Sequence, residues 1–316
     1  MWLLITVLAN LFNGAVYLAD KYFLSKKVHS SISYTFYVGI WSVGNCVLFL
    51  FNRHVPTWSW LLLDLAAGLV FMAALYFWYK ALHQGETTKV VPIAGAFIPI
   101  FTLLLNYLIG RHNLTGQELG ALVILIIGSG LLSARPKDNQ WLAWWIKLKR
   151  FFQPDKVVFR STRRLIFNSL LASFIFAAYY VFIKFLYDSQ GFANAFIWTR
   201  LGSFVGALAL IAWPASRHLI LDKPRRQTTI KSLPLFLLIR IIAFIAFVLS
   251  NFAIALADVS LVNSLQGLQY LFLLVIVLTL TKRYPKLVKQ ELSRDNLWQK
   301  ISGIILINLG LFLLLW

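Results

Sequence analysis

Long apolar runs alternate with short polar connections along the whole chain. Each run is close to the ~20 residues that a helix needs to cross a hydrocarbon core of about 30 Å. Ten runs of this kind predict ten transmembrane helices, at residues 2–24, 34–51, 60–82, 90–109, 116–134, 166–187, 194–213, 233–256, 260–281 and 298–316. Three connections, 135–165, 214–232 and 282–297, are longer and strongly basic. The pattern predicts an all-α integral membrane protein.

The composition supports this prediction. Hydrophobic residues make up 59% of the 316 and charged residues only 13%, whereas a soluble domain has about 45–50% and 25%. Lipid must therefore be the solvent for most of the apolar surface. The first run starts at Met1 with no basic segment before it and no small-residue cleavage site after it, so we expect no removable signal peptide.

Several kinds of chemistry are disfavoured. Cys46 is the single cysteine, and the five histidines are scattered without HxxxH or HExxH spacing. We therefore expect no disulfide, no metal site and no cofactor. The eleven acidic residues are dispersed, whereas a membrane enzyme needs clustered acids, histidines or nucleophiles at one membrane face. We predict that the protein is not an enzyme, and an enzyme acting on lipid is the least favoured alternative.

The basic residues predict an orientation. The odd-numbered loops hold 25 of the 30 Lys and Arg residues, and the even-numbered loops hold only Arg53, Arg111 and Lys184. By the positive-inside rule the odd loops are cytoplasmic. We expect a multi-pass protein of the plasma or inner membrane with both termini outside and residues 135–165 in the cytoplasm. The net charge of +19 then indicates contact with anionic lipids, not with nucleic acid.

The loop 135–165 contains an amphipathic segment of its own. Between Asn139 and Phe152, Trp and Phe side chains gather on one side of a helix, and Lys147 and Arg150 lie away from it. Such a helix lies in the membrane interface. It serves either as an anchoring linker between two halves or as a lipid sensor.

An internal repeat relates the two halves. Tyr17-Leu-Ala-Asp-Lys21-Tyr22 corresponds to Tyr180-Val-Phe-Ile-Lys184-Phe185, and three further matches follow in the same order. Five spans per copy is an odd number, so the second copy enters the membrane in the opposite sense. This is the inverted-repeat layout of many secondary transporters, whose solute site lies near the midplane between the copies. We predict one repeat at 1–134, a linker at 135–165 and a second repeat at 166–316.

A family resemblance rests on three segments of the first half and their echoes in the second. These are Ala81-Leu82, the apolar helix from Pro92 to Pro99, and Leu114-Thr-Gly-Gln-Glu-Leu-Gly120, echoed by Ala255-Leu256 and Trp298-Gln-Lys-Ile-Ser-Gly303. The chain resembles the EamA-like ten-helix transporters of the drug/metabolite transporter superfamily. The resemblance implies a carrier that works by alternating access.

The chain departs from that family pattern in two places. The tight turn before the fifth span has Arg111-His112, where the family usually has an acidic residue. The charge count also places both termini outside, whereas ten-span members of the family usually have them in the cytoplasm. The second departure bears on the direction of transport.

Charged residues within spans are functional candidates because they are costly in lipid. Arg200 lies about two turns into the seventh span, too deep to reach the headgroups easily. It either lines the solute path or pairs with Asp64 or Asp258. We interpret Arg240, two turns past Pro234, as a side chain that extends to the headgroups.

Neutral polar residues complete the candidate site. Asn263, Gln266 and Gln269 recur every three residues on one predicted helix face, and the repeat places Gln266 and Gln269 opposite Pro92 and Gly95. Asn13 in the first span is a further candidate, and interhelical hydrogen bonding is the alternative role for these residues.

The absence of a mid-membrane acid shapes the functional hypothesis. Small multidrug members of the superfamily have a Glu two turns before a Lys in the first span, and this chain has Asn13 there; Asp20 and Asp64 lie near the predicted span ends. We therefore disfavour a proton-driven exporter of cationic drugs. The leading hypothesis is a carrier of a small organic solute or metabolite with a negative or zwitterionic group, and a flippase for a lipid-linked anion is the alternative.

Overall fold

Twelve α-helices make up the described part of the chain. The computed structural model describes residues 1–26, 28, 30–44, 55–110, 115–133, 158–221, 233–283 and 297–314. The helices are α1 (Trp2–Lys26), α2 (Ser31–Ile40), α3 (Trp58–Gln84), α4 (Thr87–Leu108), α5 (Gly116–Ser133), α6 (Val158–Gln190), α7 (Phe192–Ala212), α8 (Pro214–Leu221), α9 (Leu233–Leu256), α10 (Val259–Ser264), α11 (Gly267–Arg283) and α12 (Leu297–Leu313). No strand occurs among these residues.

The lengths and composition of the helices fit a membrane. Seven segments are long and apolar enough to cross one, and two shorter apolar helices lie at Gly116–Leu131 and Trp298–Leu313. Many large apolar side chains are exposed on the outside of the bundle, among them Leu62, Phe167 and Ile241, as expected where lipid is the solvent. The prediction of an all-α integral membrane protein is confirmed.

Some helix boundaries differ from the predicted spans. The sixth span is longer than predicted, because α6 begins at Val158 and not at 166. The ninth predicted span is two helices, α10 and α11, separated by a turn at Leu265 and Gln266. The second predicted span is described only through Gly44, and the amphipathic segment 139–152 and the Arg111-His112 turn lie outside the described residues.

The helices pair in a pattern that repeats between the halves. α1 packs against α9, and α6, its counterpart in the second half, packs against α3, the counterpart of α9. In the same way α1 packs against α11 while α6 packs against α4, and α5 packs against α12. Such exchanges are what two five-helix repeats related by a twofold axis would make. The division into two repeats and a linker, with its boundaries, remains a prediction.

One contact of the predicted repeat occurs twice. Lys21 Nζ, near the end of α1, donates to the carbonyl oxygen of Leu82 at 2.7 Å in the last turn of α3. Lys184 Nζ, at the matching position of α6, lies 3.4 Å from the carbonyl oxygen of Ala255 in the last turn of α9. A lysine at the carbonyl end of a helix satisfies an unpaired acceptor and faces the negative end of the helix dipole.

Glycines bring α3 and α7 into direct backbone contact. A Cβ added at Gly68 would lie 2.3 Å from the carbonyl oxygen of Thr199, and one added at Gly202 would lie 2.5 Å from that of Leu65. Small residues at such crossings let membrane helices approach closely. The related helices α2 and α9 have no comparable packing within the described part of the chain. The two sides of the bundle therefore differ, and the side with α2 and α9 borders the central cavity.

Candidate functional site

A cavity of about 310 Å³ lies between the two halves. Helices from both halves line it, including α1, α3 and α4 from the first and α6, α7, α9 and α11 from the second. Its wall is mostly aromatic and aliphatic, with a small number of polar side chains. Small-molecule sites in proteins have this character and volumes of roughly 300–1,000 Å³.

Arg200 on α7 lies in the wall of this cavity. Its side chain is only 2% exposed. The guanidinium carbon lies 4.3 Å from the ring centroid of Phe71 on α3 and 4.3 Å from that of Phe247 on α9. The faces of both rings attract the cation, and the close packing of α3 on α7 fixes its position over Phe71.

A chain of hydrogen bonds orients Arg200 from the other side. Arg200 Nη2 donates to the Tyr179 hydroxyl at 2.9 Å. The hydroxyls of Tyr179 and Tyr187 both donate to Asn251 Oδ1, at 3.4 and 2.9 Å. Arg200 Nε is buried and has no hydrogen-bond partner in the described part of the chain. The hydrogen-bonding capacity of this buried guanidinium is therefore not fully used by the described residues.

The alternative that Arg200 pairs with Asp64 or Asp258 is wrong for this structure. Asp64 accepts hydrogen bonds from Gln190 Nε2 at 3.2 and 3.3 Å. Asp258 caps α10 by accepting from the backbone N–H of Ser260 at 2.7 Å. Among the described residues Arg200 has no ion pair, so none of them neutralises its charge.

Arg240 behaves differently from the prediction. It does not extend to the headgroups, because it is 5% exposed and forms an ion pair with Asp20 on α1. Asp20 also accepts from the hydroxyls of Tyr34, at 2.7 Å, and Tyr79, at 3.3 Å. Asp20 is itself only 2% exposed, although it lies near the end of its span as the sequence predicts. The pair connects α1, α2, α3 and α9 at one end of the cavity.

Three of the predicted amide side chains line the cavity with Arg200. They are Asn13 on α1, Gln266 in the turn before α11, and Gln269 on α11. Asn13 Nδ2 lies 3.3 Å from the Ser250 hydroxyl, and Gln266 Nε2 donates to Asn263 Oδ1 at 3.0 Å. These amides add hydrogen-bond donors and acceptors to the cavity wall.

Asn263 and Pro92 are buried but do not line the cavity. Asn263 Nδ2 points towards Thr102 Oγ1 on α4 at 3.4 Å. It does not share a helix face with Gln266 and Gln269, because the chain turns at Leu265 between α10 and α11. Asn10 on α1 donates to the Leu265 carbonyl oxygen at 2.8 Å, and the backbone N–H of Leu268 donates to the same oxygen at 3.1 Å.

Gly95 lines the cavity where α4 meets α11. A Cβ at this position would lie 1.4 Å from the Tyr270 hydroxyl, so only glycine leaves room for that tyrosine. Pro99 has no N–H to donate to the Gly95 carbonyl. This leaves a backbone acceptor beside the cavity, in the segment where the sequence predicts that the fourth and ninth spans meet.

Sequence reasoning missed the aromatic residues that hold Arg200. These residues are Phe71, Phe247 and Tyr179. The chain has 26 Phe and 12 Tyr, and the sequence positions of these residues do not show which of them line a site and which face lipid. Asp20 could have been found from its neighbours, because α1 continues to Lys26 and so carries Asp20 into the bundle. In the described part of the chain no group of three or more His, Cys, Asp or Glu could hold a metal ion.

Several apolar helices long enough to span a membrane, packed around a central cavity, define a multi-pass membrane protein. The model of the EamA-like transporter family matches residues 1–134. The first half of the chain is thus an EamA-like unit, and the resemblance to the drug/metabolite transporter superfamily is confirmed. Members of this family are in general membrane transporters and not enzymes.

Comparison with solved structures supports the fold over the whole chain. A structure described only as "Crystal structure of protein" aligns with a TM-score of 0.51 at 14% identity, over 96% of this chain and 95% of its own. In all, 17 solved chains match. No curated protein matches this sequence. At such low identity the structural likeness concerns the fold alone.

Proposed function

We propose that this protein is a secondary carrier that moves a small organic anion or zwitterion across the membrane by alternating access. Arg200 binds the negative group of the solute, and the amides of Asn13, Gln266 and Gln269 bind its polar remainder. The observation that carries the proposal is a buried arginine in a cavity wall with no carboxylate partner among the described residues. Gly95 has no side chain and so allows α4 and α11 to approach each other closely.

The cost of burying a charge explains why this observation points to an anion. An isolated guanidinium in a low-dielectric interior is strongly unfavourable unless an opposite charge or hydrogen bonds compensate it. Here two aromatic rings and one tyrosine hydroxyl provide partial compensation. A carboxylate or phosphate in the cavity would complete it, and the planar fork of the arginine guanidinium suits such groups better than lysine does.

The only carboxylate among the described residues lining the cavity is that of Asp20. Three donors already occupy it, from Tyr34, Tyr79 and Arg240. A cationic solute would have to displace Arg240 from its ion pair. The cavity therefore favours an anionic over a cationic solute, even though it contains an acid that the sequence did not lead us to expect.

The size of the cavity favours a metabolite over a lipid-linked anion. Its volume of about 310 Å³ is at the small end of the range for small-molecule sites. A lipid-linked anion would need additional space for its lipid chains. In the orientation predicted from Lys and Arg, Arg200 faces the outer half of the membrane and the Asp20–Arg240 pair faces the cytoplasmic half.

Ligand-induced stabilisation of the purified protein tests the proposal. A panel of organic acids is compared with the corresponding amides, because a solute that binds only the folded state raises the melting temperature. We expect some acids to stabilise the wild type and their amides to fail. Arg200→Gln should abolish this difference, and Arg200→Lys should weaken it, because lysine cannot bind a carboxylate with two parallel N–H bonds.

Arg217→Gln is the matched control. Arg217 is an exposed arginine on α8, so its loss removes a positive charge without touching the cavity. Uptake of the best acid into proteoliposomes then connects binding with transport. A well-folded Arg200→Gln protein that binds and transports the acid like the wild type would reject the proposal.

A further inference from the structure

The charges around the cavity set the valence of the solute. Of the described residues that line it, three carry a charge at neutral pH, namely Asp20, Arg200 and Arg240. Asp20 and Arg240 neutralise each other through their ion pair. The tyrosines in the wall are uncharged near pH 7. The described wall therefore has one net positive charge, located at Arg200.

We propose that the solute is a monovalent anion, and that Asp20 is the specificity-determining residue that excludes dianions by cancelling the charge of Arg240. This inference rests on the proposed function and specifies its substrate class. A monovalent carboxylate on Arg200 brings the loaded cavity to zero net charge. A phosphate monoester or a dicarboxylate leaves one uncompensated negative charge in a low-dielectric site, which costs free energy in every state that excludes water.

The geometry around Asp20 keeps Arg240 away from the solute. Tyr34, Tyr79 and Arg240 approach the carboxylate from α2, α3 and α9, so the pair is held on three sides. Arg240 is also packed 5.3 Å from the ring centroid of Phe236. If Asp20 is neutralised, Arg240 keeps its full charge and the described wall has two positive charges. A dianion would then bring the net charge of the loaded cavity to zero.

Three six-carbon probes separate valence from size. They are hexanoate, adipate and hexanamide, which carry one, two and no negative charges at pH 7.4. Binding is measured by the thermal stabilisation of the full-length protein in detergent. For the wild type we expect hexanoate to bind more tightly than either adipate or hexanamide.

The first variants change the charge at the ion pair. Asp20→Asn should shift the ratio of adipate to hexanoate affinity in favour of adipate by roughly tenfold, the effect of one additional charge at a partly screened distance. Adding Arg240→Gln to Asp20→Asn returns the wall to one positive charge and should restore the preference for hexanoate. A folded Asp20→Asn protein with the wild-type preference would overturn the proposal.

A second variant tests the charge count without disturbing the pair. Asn13→Asp adds a carboxylate to the cavity wall and reduces the net charge to zero, so hexanoate should lose its advantage over hexanamide. Its matched control, Asn13→Ala, removes the same amide without adding charge and should leave hexanoate ahead. If Asp20→Asn does not fold, Asn13→Asp is the deciding variant. If Asn13→Asp still binds hexanoate more tightly than hexanamide by the wild-type ratio, the charge count is contradicted.

The same measurements separate this inference from the proposed function. If Arg200→Gln still binds hexanoate, or if the wild type is stabilised by neither acid, the anion site at Arg200 is itself rejected. If Arg200→Gln abolishes binding but Asp20→Asn leaves the valence preference unchanged, only the role of Asp20 is rejected. If the wild type prefers adipate, the solute is not monovalent.

Discussion

Arg200 and Arg240 are two buried arginines of one cavity in different surroundings. Both are at most 5% exposed, and in both Nε lacks a hydrogen-bond partner within the described structure. Arg240 has a carboxylate partner in Asp20. Arg200 has two aromatic rings and a tyrosine hydroxyl instead. Within the described structure one charge is thus neutralised by an ion pair and the other is not.

The comparison shows why depth in the membrane does not by itself indicate function. A buried ion pair contributes little net stability, but removing one partner is costly because the other charge remains. We therefore assign Arg240 to the structure that connects four helices. Arg200 is held by groups that attract a cation without cancelling its charge, which suits a site that must bind and release an anion.

The largest effect is expected from breaking the ion pair. Asp20→Asn leaves Arg240 buried without a counter-charge and should lower the free energy of unfolding by about 3–5 kcal/mol. Arg200→Gln removes one hydrogen bond and the ring contacts, and should lower it by only about 1–3 kcal/mol. Unfolding in mixed micelles of increasing SDS fraction, followed by tryptophan fluorescence, measures both.

The double variant Asp20→Asn with Arg240→Gln is the control for this difference. It removes both charges together, so most of the lost stability should return. Equal losses in the single Asp20 variant and the double variant would show that the pair is not what makes Asp20 important.

A smaller effect is expected from the seam between α3 and α7, which positions Arg200. Gly68→Ala places a methyl group against the backbone of Thr199, so the helices must separate at a cost of about 1–3 kcal/mol. Arg200 then moves away from Phe71, and acid binding should weaken as well. Gly120→Ala is the matched control, because nothing lies within 4 Å of an added Cβ there. We expect no loss of stability in the control. If Gly120→Ala lost as much stability as Gly68→Ala, the effect could not be assigned to the contact between α3 and α7.

The smallest effect concerns the rings beside the two arginines. Phe71→Leu keeps an apolar side chain beside Arg200 but removes the ring face, and should weaken acid binding roughly two- to fivefold. Phe236→Leu makes the same change beside Arg240 and should leave acid binding nearly unchanged. Titration with the acid identified by thermal stabilisation measures both. If the two substitutions weakened acid binding equally, the proposal that only Arg200 binds the acid would be contradicted.

Much of the fold follows from the lengths of apolar runs, because lipid imposes one requirement on every span. The break between α10 and α11 does not follow from them. The length of the segment 260–281 predicts one span, but in the structure the chain turns at Leu265, whose carbonyl oxygen accepts from Asn10 of α1. A hydrogen bond between residues so distant in sequence is invisible in a local pattern.

Only part of the site could be predicted, for a related reason. Arg200 is recognisable as a charge deep in an apolar run, and Gln266 and Gln269 as amides within a span. Asp20 was correctly placed near the end of the first span, but its ion pair with Arg240 was not predicted. Arg240 was misinterpreted because its partner comes from another helix of the other half. Ion pairs across the bundle depend on tertiary packing, which periodicity does not contain.

The lysine contact that occurs in both halves has a consequence for membrane insertion. An inverted duplication places the two copies of any residue on opposite sides of the membrane, so a lysine retained in both cannot follow the positive-inside rule twice. In the predicted orientation Lys184 is the copy on the outer side. It is kept there by the helix end that it caps and by Asp188, whose carboxylate lies 3.0 Å from its Nζ. Its presence therefore reflects helix capping and not a topogenic signal. During biogenesis it opposes the orientation that the rest of the chain directs.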